Sequence, residues 1–338
     1  MARAVPVGAG AVKRIRRKHF KFWALLSICL LIVFSACGCA SAPLEKSYDF
    51  SARSFDAISI EQGSRADAFA RELCVVTDDS GDGDAAITAE AAGVFGIQTP
   101  RTIYSKNVLE KLYPASTTKI MTALIAIKYG NLSDEVTVTE EAVITESGAT
   151  LCGIKPGDKL TLEQLLYGLM LPSGNDAGTA IAVHMAGSVE GFAEMMNREA
   201  KALGATGTHF TNPHGLHSED HYTTAYDLYL IFHEALKYPK FREITGSTAY
   251  TANYQSASGE MVSTTWKGGN WYMTGEKETP DGLTVFGGKT GTTQAAGYCL
   301  VMGSKDDSSE EYISVIMKAP SRPGLYDNMT NIISKIVN

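Results

Sequence analysis

The chain has 338 residues, of which 44% are hydrophobic and 20% are charged, so it can bury the core of one large domain or two modest ones. Its formal net charge is −7, and removing the seven basic side chains of the first 21 residues leaves −14 for the rest. This acidic body argues against nucleic acid as a partner. The six cysteines include three in or beside the amino-terminal segment, and the remaining three are scattered without a CxxC pair, which argues against a disulfide framework.

Residues 1–42 read as a signal peptide or an amino-terminal membrane or lipid anchor. A basic stretch precedes an apolar run, residues 22–34, which is about as long as the core of a signal peptide and short for a membrane span. The chain is therefore predicted to act at the outer face of the cytoplasmic membrane or to be secreted. Three outcomes stay open for the leader: cleavage before Ser41, lipidation at Cys37, or an uncleaved anchor.

Residues 43–66 are polar and without a sustained period, which indicates a flexible tether, and residues 67–335 are predicted to form the folded body. The body is expected to begin with a short strand in "AFARELCVV" that runs into an acidic turn. The acidic turn resembles the start of a calcium loop, but Ala89 stands where that loop needs its glutamate. The turn is therefore interpreted as structural.

The middle of the folded body is predicted to be helical, and its end is predicted to form strands. "STTKIMTALIAIKYG" predicts a buried helix that ends at Tyr129, residues 158–206 predict a run of three helices, and residues 224–238 predict one more. "GLTVFGGKTGTTQAAGYCLVMGSK" and "YISVIMKAP" have the β-branched content of strands separated by a charged turn. Strands at both ends with helices between them predict one α+β domain whose terminal segments share a sheet.

Ser116 and Lys119 lie three residues apart at the start of the predicted buried helix, so their side chains project from one face. A buried lysine of lowered pKa is a base that can activate a serine hydroxyl, and the helix start supplies backbone N–H groups for an oxyanion. Two further short motifs follow in the chain, Ser173-Gly174-Asn175 at a helix junction and Lys289-Thr290-Gly291 on a predicted strand. Each is common alone, but this set in this order is typical of penicillin-binding proteins and class A β-lactamases.

On these motifs and on five longer blocks, the chain resembles the low-molecular-weight penicillin-binding proteins, the serine D-alanyl-D-alanine carboxypeptidases of bacterial cell walls (peptidase family S11). The likeness covers about residues 73–319, and the blocks occur in the family's order: "YPASTTKIMTAL", "LLYGLMLPSGNDAGTAIA", "FAEMMNREAKALG", "THFTNPHGLHSEDHYTTAYDL" and "GGKTGTTQAAGYCLV". The resemblance implies a β-lactamase/transpeptidase-like α+β fold, an antiparallel sheet flanked by helices with a mostly helical subdomain.

The resemblance also implies a role for each motif residue. Ser116 is expected to attack the carbonyl between two D-alanines with Lys119 as its base, while Ser173 relays a proton to the leaving amine. Asn175 is expected to hold Lys119 and the substrate amide. The implied substrate-binding residues, for the terminal carboxylate, the oxyanion and the substrate backbone, are Lys289, Thr290, Gly291 and Thr292. The expected partners are peptidoglycan stem peptides and, as covalent inhibitors, β-lactam antibiotics, with no cofactor.

Other readings of the same motifs remain open, namely a D,D-endopeptidase, a penicillin-binding sensor or wall-binding module without turnover, and an esterase or amidase of D-peptides. A class A β-lactamase is disfavoured because the string at Glu194 lies too close to the S-x-N motif and inside a helical pattern. The histidines of "PHGLHSEDH" suggest a metal by type, but the family block explains the first and no metal is predicted.

Three departures from the family are expected. No carboxy-terminal β domain is predicted, so any anchor is amino-terminal, and residues 81–100 are predicted to be an inserted loop. Trp271 and Tyr272 lie in an unusual stretch before the last motif and are expected to pack rather than to line a groove.

Overall fold

The strands of the computed structural model, which describes residues 72–76, 79–81 and 83–337, form two antiparallel sheets. The five-stranded sheet has the order β2-β1-β9-β8-β7, and its strands are β1 (Ala91–Gly96), β2 (Thr102–Lys106), β7 (Leu283–Thr293), β8 (Gly297–Asp306) and β9 (Glu311–Ala319). The four-stranded sheet has the order β3-β4-β5-β6, and its strands are β3 (Glu135–Thr137), β4 (Lys159–Thr161), β5 (Ala249–Gln255) and β6 (Met261–Lys267).

The helices of the described residues are α1 (Lys119–Tyr129), α2 (Leu162–Met170), α3 (Asn175–Ala186), α4 (Val189–Ala202), α5 (Ala225–Ala235), α6 (Pro239–Gly246), α7 (Trp271–Thr274) and α8 (Arg322–Ile333). The five helices predicted from periodicity, α1 to α5, are all present. Local signals fix their ends: Thr161 and Gln164 form a capping box at the start of α2, and α1 ends at Tyr129 before Gly130. No helix within these described residues is long and apolar enough to cross a membrane.

Both faces of the five-stranded sheet are covered by helices. On one face, Phe95 and Val315 belong to the large core that also includes residues of α1 and α5. On the other face, Ile316 packs in a smaller core with Tyr326 and Met329 of α8. The antiparallel sheet flanked by helices confirms the predicted α+β class, and β1 pairs with β9 as expected for terminal segments that share a sheet.

Two predictions about the first strand are wrong. Residues 72–76 form no strand, and the region predicted to be an inserted loop, residues 81–100, contains β1, an inner strand that pairs with both β2 and β9. All six residues of β1 are buried, because helices cover both faces of the sheet. A strand buried on both faces shows no polar alternation, and "AAGVFG" has a single β-branched residue, Val94, so its strand signal is weak.

The predicted leader at 1–42, the lipidation site at Cys37 and the predicted tether at 43–66 lie outside the described residues. Within the folded body, Cys74, Cys152 and Cys299 are buried free thiols. Trp271 and Tyr272 pack against α8, the first stacked on Tyr326 at 4.5 Å between ring centroids and the second with its hydroxyl 2.7 Å from Thr330 Oγ1. Their predicted packing role is confirmed.

Candidate active site

Ser116 lies in a 3₁₀ turn, Ala115–Thr118, that leads directly into α1. Residues three apart eclipse each other in a 3₁₀ turn, so the side chains of Ser116 and Lys119 share one side of it. Lys119 Nζ lies 2.9 Å from Ser116 Oγ. Ala115, just before the serine, has a φ of 48°, a left-handed conformation that a residue with a side chain adopts at some cost. The turn that presents the serine is therefore held in place by its surroundings.

The Lys119 amine is fully buried and has three oxygen neighbours. It donates to Asn175 Oδ1 at 2.7 Å and to the His214 carbonyl at 2.8 Å, with Ser116 Oγ as the third. Burial, followed by the charge of Lys289, lowers the pKa of Lys119 well below its usual value. A neutral amine has two hydrogens and one lone pair. The two carbonyl acceptors use the hydrogens, which leaves the lone pair facing the Ser116 hydroxyl.

The S-G-N motif connects α2 to α3. Asn175 is the first residue of α3, which directs its side chain to Lys119, and its backbone N–H donates to Thr150 O at 2.8 Å. Ser173 has a φ of 66°, so the backbone is left-handed at the residue whose hydroxyl enters the site. The next residue, Asp176, accepts from the backbone N–H groups of Cys152 and Gly153 at 2.9 and 2.8 Å. The junction is thus tied to the preceding loop.

The K-T-G motif lies on β7, the edge strand of the five-stranded sheet. Lys289 Nζ donates to Ser173 Oγ at 2.9 Å and to the Thr290 carbonyl at 2.7 Å. The Lys289 side chain is almost completely buried, and this burial lowers its pKa to about 7. Two lysines of lowered pKa therefore face the two serines of the site, one lysine to each serine.

Gly291 allows β7 to pass directly against the turn that carries Ser116. A methyl group at this glycine would come within 2.8 Å of Ser116 N and 2.9 Å of Thr117 N, both backbone atoms. Gly215, with a φ of +86°, lies under the same turn, and a methyl group there would overlap the Ala115 carbonyl. These two close approaches explain why glycine is needed on both sides of the turn.

The histidines of "PHGLHSEDH" support this turn instead of gathering around a metal; within the described chain, no group of three or more His, Cys, Asp or Glu residues is placed to hold one. Thr211 N–H donates to His221 Nδ1 at 3.0 Å, so the neutral ring donates from Nε2 to Thr118 Oγ1 at 2.8 Å. Burial lowers the pKa of His221 to about 3 and, by the same cause, that of His214 to about 3. His217 makes an edge contact with the ring of Tyr113.

The structure brings all eight predicted site residues into one region, at the junction of β7, the Ser116 turn and the α2–α3 connection. Ser116, Asn175 and Thr292 line an open cleft of about 590 Å³. Lys289 and Thr290 line a separate, smaller cavity. The arrangement places the Ser116 hydroxyl beside a buried amine of lowered pKa, and a second serine beside its own lysine.

Residues 78–321 match the family model for D-alanyl-D-alanine carboxypeptidases. The chain belongs to this family. It is 36% identical over 222 residues to the D-alanyl-D-alanine carboxypeptidase DacF of Bacillus subtilis, an alignment that covers 64% of this chain and 54% of that protein. It is 31% identical over 260 residues to the D-alanyl-D-alanine carboxypeptidase of Streptomyces sp. strain K15, covering 73% of this chain and 87% of that one.

Solved structures agree with this membership. The crystal structure of the Streptomyces K15 DD-transpeptidase superimposes with a TM-score of 0.69 at 32% identity, covering 74% of this chain and 97% of that one. The predicted family and fold are therefore confirmed. The chain spans only about half the length of the Bacillus relative.

Within this family fold, sequence reasoning missed groups that act through the backbone. The His214 carbonyl is an acceptor for Lys119, and Gly215 makes room for the Ala115 carbonyl. Because every residue has a backbone carbonyl, the residue type does not show which carbonyl accepts a hydrogen bond. The sequence signal for this position was the block "NPHGL" as a whole. Asp176, the anchor of the S-G-N junction, was also missed, although a carboxylate in the first turn of a helix is a recognisable signal.

Proposed function

We propose that this protein is a serine D-alanyl-D-alanine carboxypeptidase that removes the terminal D-alanine from peptidoglycan stem pentapeptides through an acyl-enzyme on Ser116. The observation that carries the proposal is the contact of 2.9 Å between Ser116 Oγ and Lys119 Nζ, an amine that is buried and surrounded as a neutral lysine requires. The family membership supports the substrate class.

In the acylation step, Ser116 Oγ attacks the carbonyl carbon between the two D-alanines, and its proton passes to the lone pair of Lys119. The oxygen of that carbonyl becomes negative and is received by the backbone N–H groups of Ser116 and Thr292. Asn175 keeps the Lys119 amine oriented through its bond of 2.7 Å. The base is prepared before substrate binds, because burial, followed by the charge of Lys289, lowers the pKa of Lys119.

In the collapse of this intermediate, the peptide C–N bond breaks and the leaving nitrogen takes the proton that Lys119 received, relayed by the Ser173 hydroxyl. Lys289, 2.9 Å from Ser173 Oγ, supplies positive charge at the end of the site where the substrate's carboxylate is expected, with Thr290 and Gly291 beside it. Water then attacks the ester carbonyl on Ser116, and Lys119 accepts a proton from the water and returns it to Ser116 Oγ as the ester C–O bond breaks. The products are D-alanine and the shortened peptide.

The same geometry supports covalent inhibition by β-lactams, which present a strained amide and a carboxylate to the same groups. The arrangement of the whole chain is also proposed: residues 67–335 as the catalytic domain, 43–66 as a tether, and 1–42 as the signal peptide or anchor that directs the domain to the outer face of the membrane. The basic and apolar pattern of the leader supports this arrangement, and Cys37 is the proposed lipidation site if the leader is processed as a lipoprotein.

The function is tested by incubating residues 42–338 with a disaccharide pentapeptide that ends in D-alanyl-D-alanine, with mass spectrometry of the product. Loss of one alanine, prevented by prior treatment with penicillin, is the expected result. A parallel incubation uses a cross-linked peptide dimer. Cleavage of the dimer alone would indicate a D,D-endopeptidase. Penicillin labelling without turnover of either peptide would indicate a sensor.

Lys289 should define the alkaline limb of the pH profile of kcat/KM. Its pKa in the free protein is about 7, so it is cationic below that pH and neutral above it, and carboxylate binding should weaken as the pH rises through about 7. Lys289→Arg should move this limb upward by at least about 1 pH unit, because a guanidinium stays charged throughout. Rates measured between about pH 5 and pH 10 test this, and a limb that does not move would assign it to another group.

A further inference from the structure

Lys289 does not line the cleft beside Ser116. The cleft is lined by Ser116, Asn175 and Thr292, whereas Lys289 and Thr290 line a separate, smaller cavity. The rest of the cleft wall consists of Glu146, Ser147, Gly148, Thr150, Gly215, Leu216, His217, Thr293, Gln294 and Ala295. With the scissile carbonyl at Ser116, the cleft is the half of the site that remains for the acyl part of the substrate.

Glu146 is the one carboxylate among the described residues that line this cleft, and no lysine or arginine lines it. Its side chain is exposed, and no cationic side chain in the described ranges pairs with it. The backbone of the same loop is fixed nearby by the bond from Ala149 N–H to Glu146 O at 3.1 Å and by the bond from Asn175 N–H to Thr150 O at 2.8 Å. The loop thus presents an unpaired negative charge to the acyl half of the site.

The orientation of the substrate brings this charge next to one particular side chain. In the proposed function, on which this inference rests, the terminal carboxylate points to Lys289, so the peptide runs from there past Ser116 into the cleft. The first residue with a long side chain on this path is the one that precedes D-alanyl-D-alanine, which is a diamino acid in stem peptides. We propose that Glu146 is a specificity-determining residue that binds the free ammonium group of this diamino acid.

The test compares two peptides that differ only in that ammonium group: Nα-acetyl-L-lysyl-D-alanyl-D-alanine and the same peptide acetylated on Nε. The measured quantity is the ratio of kcat/KM for the free amine to kcat/KM for the acetylated amine. Glu146→Gln should lower this ratio by about two- to fivefold, the size of an exposed ion pair. Most of the change should appear in KM for the free amine, and salt at about 1 M should lower the wild-type ratio toward that of the variant.

Glu141→Gln is the matched control, because it removes an equal charge from an exposed glutamate five residues earlier that does not line the cleft. It should leave the ratio unchanged. An equal fall of the ratio in both variants would show that the effect comes from the net charge of the protein and would overturn the proposal. An unchanged ratio in Glu146→Gln would also overturn it. If the wild-type protein releases D-alanine from neither peptide, the proposed function itself fails, a result that is distinct from either of these.

Discussion

Replacing Ser116 with alanine should abolish both covalent labelling by penicillin and release of D-alanine. Its hydroxyl is the one that lies 2.9 Å from the buried amine of Lys119, whereas the hydroxyl of Ser173 is engaged by Lys289. Without Oγ no acyl-enzyme can form, so turnover should fall by at least about 10³-fold. The substitution removes one atom from a partly exposed side chain, and the melting temperature should therefore change little.

The measurement is the mass of the intact protein after exposure to penicillin, together with D-alanine release from the pentapeptide. Ser133→Ala is a matched control, since Ser133 lies in a surface loop and bonds only to Asn131 among the described contacts. Adduct formation on Ser116→Ala at the normal stoichiometry would refute the assignment of the nucleophile. Loss of the adduct together with a large drop in melting temperature would instead point to misfolding, which circular dichroism detects.

Much of the helical part of this fold is readable from the sequence because its signals are local. Periodicity and caps set α1 to α5 within a few residues, and the Thr161–Gln164 capping box is an example. By contrast, the strand conformation of β1 depends on the strands and helices that pack against it. Its apolar residues form an inner strand because β2 and β9 pair with its two edges and helices cover both faces, and of these partners only β2 is near it in the chain.

The position of helix α8, at the other end of the chain, also could not be predicted from local sequence signals. Its role, to close the second face of the sheet through Tyr326 and Met329, depends on side chains of β8 and β9 that the local pattern does not contain. The strand pairing of β7 with β8 could be expected from the short connection between them, while the approach of β7 to the Ser116 turn could not. Local sequence signals therefore do not predict how elements far apart in the chain are placed against each other.

The candidate site divides in a similar way. The spacing of Ser116 and Lys119 is enough to predict their contact, because three residues in one turn bring the two heads together. Spacing alone could not predict that Lys289 would reach Ser173, 116 residues earlier in the chain. The order of the motifs and the family resemblance supplied only the expectation that the three motifs share one site, and the contact between Lys289 and Ser173 was not predicted. The roles of these residues stay predictions until the variants are made.

Replacing Lys119 with methionine should slow acylation by penicillin by about 10²- to 10⁴-fold while keeping Ser116 in place. Methionine fills much of the space of the lysine side chain in a fully buried position, so the cavity left behind is small. Asn175 Oδ1 and the His214 carbonyl lose their donor, which should cost about 1–3 kcal/mol for each group left unpaired. The variant should therefore be folded, and its loss of stability should be largest above about pH 10, where the wild-type lysine is neutral in both states.

The pH dependence of stability separates a base from a merely structural lysine. The pKa of Lys119 is lowered on folding, so between that lowered value and about 10.4 the unfolded chain binds more protons, and the free energy of unfolding should rise with pH across this window. Lys119→Met removes this contribution. Urea unfolding at about pH 6 and about pH 9 should show a smaller difference for the variant than for the wild type.

Lys201→Met is the control for the loss of a positive charge, because Lys201 is exposed at the end of α4. Its acylation rate and its pH dependence of unfolding should match those of the wild type. A Lys119→Met protein that is acylated at the wild-type rate would remove Lys119 as the base. If acylation is slow but the pH dependence of unfolding is unchanged, the lysine is protonated in the folded protein, and its contribution is to hold Asn175 and the Ser116 turn through hydrogen bonds.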